Sequence, residues 1–127
     1  MSDRQPLSTD LAPPALGPYS QAVRSNGLLF CSGQVALVPG GGDKLSEPVA
    51  VQARQCLENL AGLCEGAGTT LQRAVKVNVY LVDIDRWGEL NEVYAEFFDD
   101  QPPARAVVAV AALPAGAQVE IEAVVAL

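Results

Sequence analysis

The segment RAVKVNVYLVDIDRWGELNEVYAEFF, residues 73–98, places a strand pattern directly before a helix pattern. Over residues 73–82 apolar and polar side chains alternate, which predicts a strand with one buried face. The apolar side of that strand carries Val75, Val77, Val79 and Leu81. Over residues 86–98 apolar side chains recur at three- and four-residue spacing, which predicts an amphipathic helix. Its buried side carries Trp87, Leu90, Tyr94, Phe97 and Phe98.

A second helix is predicted over residues 48–66. Its apolar stripe contains Val49, Ala53, Cys56, Leu57, Leu60 and Cys64. Pro48 suits the first turn of a helix, and Gly66 and Gly68 are typical of its end. Cys56 and Cys64 are therefore interpreted as small core residues rather than as reactive thiols.

The remaining apolar runs predict strands around these two helices. They cover residues 17–24, 28–35, 104–112 and 118–126, with a hairpin turn at Asn26-Gly27 and a loose arm over residues 1–16. The order β-β-α-β-α-β-β indicates one α+β domain over residues 1–127, with a single sheet and both helices on one face. The other face is expected to be rich in Val and Ala. Because nothing in the chain covers that face, we expect oligomerisation through it.

Composition excludes several kinds of function. The chain has 127 residues, eight basic and 15 acidic side chains, and a net charge of −7. Nucleic acid and anionic membranes attract basic surfaces, so neither is an expected partner. No apolar run approaches the roughly 18 residues of a membrane-spanning helix. The chain contains no histidine, which excludes Ser-His-Asp and Cys-His nucleophile systems and His-ligated metal sites.

The three cysteines favour a reduced, cytoplasmic protein. Cys31, Cys56 and Cys64 form no CxxC pair, and three thiols without histidine are an unusual zinc site. An odd cysteine count and a first segment without a signal-peptide core predict free thiols in the cytoplasm. Cys31 precedes Ser32 and could be reactive, but a buried strand cysteine is the favoured interpretation.

Arg105 is the first candidate for a functional side chain. It follows Pro102-Pro103-Ala104 and precedes an apolar strand, where an arginine is costly without an anionic partner. It is either a surface or salt-bridged arginine, or a guanidinium fork that binds a small carboxylate. The residue itself favours neither interpretation.

Other polar residues occupy positions where packing and function are both plausible. Glu120 and Glu122 share one face of the last strand, either as a solvated face or with one carboxylate that holds a water. Tyr19 follows a Gly-Pro turn and either packs or faces a ligand. Gly33, after Ser32, indicates that a ligand or a neighbouring chain approaches the backbone closely. Asn91 lies on an apolar helix stripe and needs a polar partner.

In combination, these segments resemble the RidA/YjgF/L-PSP family from about residue 11 onward. The resemblance rests on GPYSQA (17–22), LLFCSGQ (28–34), QARQCLENLAGLCEGAG (52–68), VKVNVYLVDIDRWGELNEVYAEFF (75–98), PAR (103–105) and LPAGAQVEIEA (113–123). It implies a chorismate-mutase-like fold and a homotrimer with a barrel-like core and sites between subunits. Family members with the PAR arginine are 2-iminopropanoate/2-iminobutanoate deaminases. They hydrolyse 2-aminoacrylate, 2-aminocrotonate and their imine tautomers, released by pyridoxal-phosphate enzymes, to 2-keto acids and ammonia without metal or cofactor.

The resemblance also implies roles for individual residues. Arg105 binds the substrate carboxylate, and Glu120 positions the attacking water with help from a backbone carbonyl near Val107. The other residues that the resemblance assigns to the pocket are Tyr19 from the adjacent subunit, Ser32, Gly33, Asn91 and Pro114.

Two positions depart from the family pattern. Many members have cysteine where this chain has Val107, so thiol-dependent regulation at that position is not expected. Only residues 99–102 separate Phe98 from Pro103, which is shorter than in several members. A change in loop length alters pocket width, so substrate preference is less certain than reaction type.

Three alternative functions remain to be compared with deamination. A binding module would retain a small carboxylate, such as 2-ketobutyrate or serine, in the same cleft without turnover. Arg105 serves both functions, so the role of Glu120 distinguishes them. Some family members are described as endoribonucleases, but an acidic chain without a basic, aromatic-lined stripe argues against RNA binding. A chaperone-like activity has no specific support in the sequence.

Overall fold

The protein forms one mixed sheet with two helices, as described by a computed structural model for residues 3–127. The elements are β1 (Gln5–Leu7), β2 (Ala22–Ser25), β3 (Leu28–Gln34), α1 (Val49–Ala67), β4 (Ala74–Leu81), α2 (Trp87–Ala95), β5 (Ala104–Ala109) and β6 (Val119–Ala126). The strand order is β1-β2-β3-β6-β4-β5. Only the β4–β5 pair is parallel among these neighbours. The predicted α+β class is confirmed.

Residues 3–16 differ from the loose arm expected over residues 1–16, of which residues 1 and 2 lie outside the described residues. Residues Gln5–Leu7 form β1 and pair antiparallel with β2. The buried Gln21 side chain holds the segment that follows. Its Oε1 accepts a hydrogen bond from the Thr9 N–H at 2.8 Å, and its Nε2 donates to the Pro13 carbonyl at 2.8 Å. The expectation was wrong because a short strand and hydrogen bonds from side chains to the backbone do not require a periodic pattern of apolar residues, so the sequence gives no sign of them.

The core lies between α1 and one face of the sheet. All six residues of the predicted α1 stripe are buried, including Cys56 and Cys64, so their assignment to the core is confirmed. The predicted hairpin turn is also confirmed, since Asn26 and Gly27 both have positive φ, at 53° and 76°. That conformation matches the twist of the flanking strands and is favoured in Asn-Gly turns. Within residues 3–127, neither helix is long and apolar enough to cross a membrane.

Two predicted core residues are exposed. Val75 is 46% exposed because the pairing of β4 with β6 shifts register between Ala74 and Lys76, and Ala74 faces the core instead. Such a bulge inserts one residue and interrupts alternation. Trp87 is 48% exposed because α2 begins at Trp87, after a 3-10 turn over residues 84–86 that the Asp83 carboxylate caps. The first turn of the helix therefore lies beyond the packed core.

The sheet face opposite the helices is more polar than expected. Its centre carries Lys76, Asn78 and Tyr80 from β4 beside Glu120 and Glu122 from β6. Apolar side chains flank this centre at Phe30, Val108 and Val124. Most valines of β4 and β6 instead pack against the helices, because alternation directs them to the buried face; they are Val77, Val79, Val119 and Val125. The predicted homotrimer stays a prediction on the basis of this single chain.

Gly62 allows the N-terminal segment to lie directly on α1, so Gly62→Ala should destabilise the fold. A Cβ at this position would overlap the Leu11 carbonyl group. Because the contact is with backbone and not with a flexible side chain, α1 or the N-terminal segment would have to shift to relieve it. We expect a loss of about 1–3 kcal/mol in the free energy of unfolding, measured by urea denaturation. Gly88→Ala is the matched control, because a Cβ there meets open space in α2. It should be neutral or stabilising by up to about 1 kcal/mol. Equal stability of Gly62→Ala and wild type would contradict the close approach.

Candidate functional site

Five of the predicted site residues line one cavity of about 570 Å³, which we call the Glu120 pocket. They are Tyr19, Ser32, Gly33, Pro114 and Glu120. The pocket lies between the segment over residues 13–21, the end of β3, the turn at residues 114–116 and the open face of β6. A cavity of this size suits a small metabolite.

A bulge in β3 opens the wall of this pocket. Cys31 pairs with Ala123 and Gln34 pairs with Ile121, so the register shifts across Ser32 and Gly33. The interruption leaves room beside Glu120. A Cβ at position 33 would lie 2.8 Å from Glu120 Oε2, which only a glycine avoids without displacing the carboxylate. The close approach predicted from Gly33 is thus made by the Glu120 side chain.

The hydroxyl groups of the pocket have defined hydrogen bonds. Ser32 Oγ donates to the Ser20 carbonyl at 2.6 Å, so its oxygen remains available as an acceptor. The Leu16 N–H donates to Tyr19 Oη at 3.1 Å, which leaves the Tyr19 O–H available as a donor. Tyr19 is half exposed at the mouth of the pocket. The pocket therefore offers a ligand both a hydrogen-bond acceptor, on Ser32, and a hydrogen-bond donor, on Tyr19.

Glu120 has the properties of a proton acceptor. Burial, and then the negative charge of Glu122, raise the pKa of the Glu120 carboxyl above its usual value. Among residues 3–127 no group donates a hydrogen bond to it, whereas Glu122 accepts two. A carboxylate with a raised pKa and no donor is more basic than an exposed one and can take a proton from water.

Arg105 lies in a separate group with Asn91 and Tyr94, which we call the Arg105 cluster. Its Nη1 donates to Asn91 Oδ1 at 2.8 Å, and its Cζ lies 4.6 Å from the centre of the Tyr94 ring. Asn91 thus has the partner that its place on an apolar stripe required. Within the described part of the chain Arg105 makes no ion pair, so the salt-bridged alternative is not what the structure contains. The remaining guanidinium donors can bind an anion.

Tyr94 was missed as a member of this group. Sequence reasoning placed it only in the apolar stripe of α2, because the pattern does not reveal which core aromatic lies under a cation. Its ring supports the guanidinium from below, a cation–π arrangement that stabilises a partly buried arginine. Its hydroxyl is buried and has no hydrogen-bond partner among residues 3–127.

Within one chain the structure does not bring Arg105 to Glu120. Arg105 pairs with Val77, whose side chain is in the core, whereas Glu120 pairs with Tyr80 on the open face. They also lie on strands separated by β4, roughly 10 Å apart in the plane of the sheet. Tyr19 was expected to join the other residues from a neighbouring subunit. Within the chain Tyr19 lies with Glu120, while Arg105, Asn91 and Val107 lie on the other face, so the grouping across subunits stays a prediction.

Buried amides that sequence reasoning did not select support the pocket. Asn59 Nδ2 donates to the Leu37 carbonyl at 2.8 Å, which holds the loop that forms one wall. Gln52 Oε1 accepts a hydrogen bond from the Gln118 N–H at 3.0 Å, which fixes the approach to β6. Their spacing on the buried side of α1 is the signal that could have identified them, since buried amides need partners. Among residues 3–127 no group of three or more Cys, Asp or Glu side chains could hold a metal ion.

Comparison with known proteins agrees with the fold and the motifs. Residues 9–127 match the family described as Endoribonuclease L-PSP. The chain is 48% identical to the RutC family protein y4sK of Sinorhizobium fredii, over 97% of this chain and 98% of that protein. It is 44% identical to the 2-iminobutanoate/2-iminopropanoate deaminase of Mus musculus, over 95% of this chain and 90% of that protein.

A solved structure shows the same architecture. The crystal structure of E. coli TdcF with bound serine superimposes with a TM-score of 0.90 at 35% identity, covering 97% of this chain and 98% of that one. The fold, the motifs and the near-complete coverage all lead to one conclusion: this chain belongs to the Endoribonuclease L-PSP family, the RidA/YjgF/L-PSP family that its sequence resembles.

Proposed function

We propose that the protein hydrolyses 2-iminopropanoate and 2-iminobutanoate, the tautomers of 2-aminoacrylate and 2-aminocrotonate, to 2-keto acids and ammonia. The observation that carries this proposal is Arg105, a half-buried guanidinium that Asn91 and Tyr94 hold and that makes no ion pair within residues 3–127. Such a group binds the carboxylate that all these substrates carry. The mouse relative is named for this activity, which supports the reaction type. No metal or cofactor takes part in the proposed reaction.

The proposed site forms between two subunits of a homotrimer. Arg105 and Glu120 lie on opposite faces of the sheet, so one small ligand cannot touch both within a chain. The open face also carries exposed Phe30 and Val108, which a neighbouring subunit would cover. In this arrangement Arg105, Asn91 and Val107 of one protomer face the Glu120 pocket of the next protomer.

The chemistry needs little beyond orientation and one base. Arg105 binds the substrate carboxylate, which directs the electrophilic C2 toward a water beside Glu120. The water oxygen bonds to C2, Glu120 takes a proton from the water, and the nitrogen receives the electron pair of the C=N bond. Glu120 returns that proton to the nitrogen. A second relay moves the hydroxyl proton of the carbinolamine to nitrogen as the C–N bond breaks and ammonia leaves. Holding water and substrate together supplies much of the rate.

A second candidate function is the binding of a small carboxylate without turnover. The E. coli relative was solved with serine bound, and Arg105 would serve such a ligand equally well. Binding alone gives no reason for a carboxylate at position 120 that has a raised pKa and that accepts no hydrogen bond from the described residues. Glu120 therefore favours hydrolysis. The net charge of −7 gives RNA no favourable surface.

A coupled assay tests the proposal. A serine or threonine dehydratase generates 2-aminoacrylate or 2-aminocrotonate in the presence of semicarbazide, and semicarbazone formation is followed by absorbance. The protein should suppress the semicarbazone and accelerate release of the keto acid and ammonia. Full semicarbazone formation in the presence of intact protein would overturn the proposal and favour the binding function.

Gly33→Ala should lower this activity while leaving the fold intact. The new methyl group would lie only 2.8 Å from Glu120 Oε2, so the flexible carboxylate would rotate away from the water. Misplacement of a catalytic group by about 1 Å costs up to roughly 100-fold in rate, so we expect a fall in kcat of about 10- to 100-fold. Thermal unfolding should change little. An unaltered kcat would show that the carboxylate position does not depend on Gly33.

A further inference from the structure

Glu122 is fixed more firmly than any other carboxylate near the proposed site. Its Oε1 accepts a hydrogen bond from Tyr80 Oη at 2.6 Å and another from Asn78 Nδ2 at 3.1 Å. Both donors come from β4, where Asn78 is directly opposite Glu122. The short bond to Tyr80 is typical of a hydroxyl that donates to a charged oxygen. The Glu122 carboxylate is thus held in one orientation.

This fixed charge lies beside Glu120. The two residues are two positions apart on the same face of β6, roughly 7 Å between Cα atoms, and both line the Glu120 pocket. Tyr80 is directly opposite Glu120 but donates diagonally to Glu122. Glu122 therefore accepts two hydrogen bonds through Oε1, whereas no group among residues 3–127 donates one to Glu120. Paired carboxylates in different environments often divide their roles in this way.

We propose that Glu122, held by Tyr80 and Asn78, is a positioning residue whose fixed charge makes Glu120 a stronger base toward the attacking water. The inference rests on the proposed hydrolysis and assigns Glu122 no contact with the substrate. Its charge opposes the ionised form of Glu120 across a partly buried pocket, where screening by water is reduced. Its donors keep that charge in place while Glu120 gains and loses a proton.

The other ionisable groups facing Glu120 do not replace this effect. The hydrogen bond to Glu122, and then burial, raise the pKa of Tyr80 to about 12, so Tyr80 stays a donor at neutral pH. Burial raises the pKa of Cys56, which lies below β6 in α1, and that thiol stays uncharged. Tyr19 contributes a phenol at the mouth of the pocket. Lys76 lies on the same open face and shares a cavity with Glu122, but it is two positions before Asn78 in β4, on the side away from Tyr80 and Glu120. Ser32 and Gly33 in the bulge of β3 and the turn at residues 114–116 contribute no ionisable side chain.

Glu122→Gln tests the inference with little change of shape. The new amide oxygen can accept both hydrogen bonds, so the fold should be retained while the charge is lost. We expect kcat at neutral pH to fall about three- to tenfold, because a weaker base accelerates proton transfer less. The acid limb of the kcat/KM profile should move to lower pH. Glu65→Gln, an exposed charge at the end of α1, should leave both unchanged. If kcat fell but the acid limb of the kcat/KM profile stayed at the same pH, Glu122 would have only a structural role and the inference would be overturned.

Titration of Glu120 by carboxyl carbon NMR separates this inference from the proposed reaction. In Glu122→Gln the Glu120 signal should titrate at lower pH than in wild type, whether or not the protein turns over an imine. Tyr80→Phe keeps the Glu122 charge but releases one bond, so it should give a smaller shift in the same direction. An identical Glu120 titration in wild type and Glu122→Gln would refute the coupling. Failure of the coupled assay alone would refute only the reaction.

Discussion

We expect Arg105→Ala to lose most of the proposed hydrolysis of 2-iminobutanoate in the coupled assay while the protein remains folded. Loss of a charged partner from a partly buried carboxylate costs about 2–5 kcal/mol, so kcat/KM should fall by roughly 30- to 5,000-fold. The fold should tolerate the change because Arg105 lies on the edge strand β5 and makes no ion pair in the described chain. Removal of its contact with Tyr94 should cost only about 0.5–1 kcal/mol of stability.

Arg105→Lys is the matched control for this result. It keeps the positive charge but lacks the planar fork that donates to a carboxylate and to Asn91 together. We expect activity between that of wild type and Arg105→Ala, with most of the loss in KM. Isothermal titration with 2-ketobutyrate should give the same order for binding. Wild-type kcat/KM in Arg105→Ala would remove the carboxylate-binding role from this residue.

Glu120→Gln lowers kcat by roughly 100- to 10,000-fold, the contribution of a positioned general base, with a much smaller change in KM. Binding of 2-ketobutyrate should persist, since Arg105 is unchanged. The wild-type rate should fall as the pH falls through the raised pKa of Glu120, and this limb should be absent from the residual activity of the variant. Glu65→Gln again provides the control for loss of one negative charge. Wild-type turnover in Glu120→Gln would favour another source of the attacking water.

The same raised pKa predicts the effect of Glu120→Gln on stability. A carboxyl whose pKa is higher in the folded than in the unfolded state binds more protons when folded. Stability is then lost as pH rises through that interval. Glu120 therefore destabilises the fold at neutral pH, and Glu120→Gln should unfold at the same or a higher temperature than wild type. Such a trade between stability and activity is common at functional sites. A lower unfolding temperature for the variant at neutral pH would contradict this prediction.

Mixing the two inactive variants tests whether the site spans two subunits. Arg105→Ala and Glu120→Gln chains are dissociated together in denaturant and refolded as mixed trimers. If each site takes Arg105 from one chain and Glu120 from its neighbour, about a quarter of the sites in an equal mixture are intact. About a quarter of wild-type activity should therefore return. Continued inactivity of the refolded mixture would locate both residues of each site in the same chain.

Local sequence patterns were sufficient for most of the fold and for the identity of the candidate residues. Three of these patterns depend only on residues a few positions apart, so the sequence was enough to predict them. They are the alternation in β4, the three–four spacing in α1 and the Asn-Gly turn. The motif around Arg105 and the VEIE segment selected the two principal side chains. The exceptions were the N-terminal segment, which pairs with the sheet through β1, and two local irregularities: the bulge that exposes Val75 and the turn that leaves Trp87 outside the core.

Only the tertiary structure decided how those residues are grouped. Whether Arg105 lies with Glu120 depends on which strands are neighbours and on which face of the sheet the strand register places each side chain. No local sequence pattern contains that information. The pairing of β4 with both β5 and β6 separates the two residues onto opposite faces. The same pairing brings Tyr80 and Asn78 to Glu122. Long-range strand pairing thus determined both the separation of Arg105 from Glu120 within the chain and the hydrogen bonds that hold Glu122, because it joins segments that are distant along the chain.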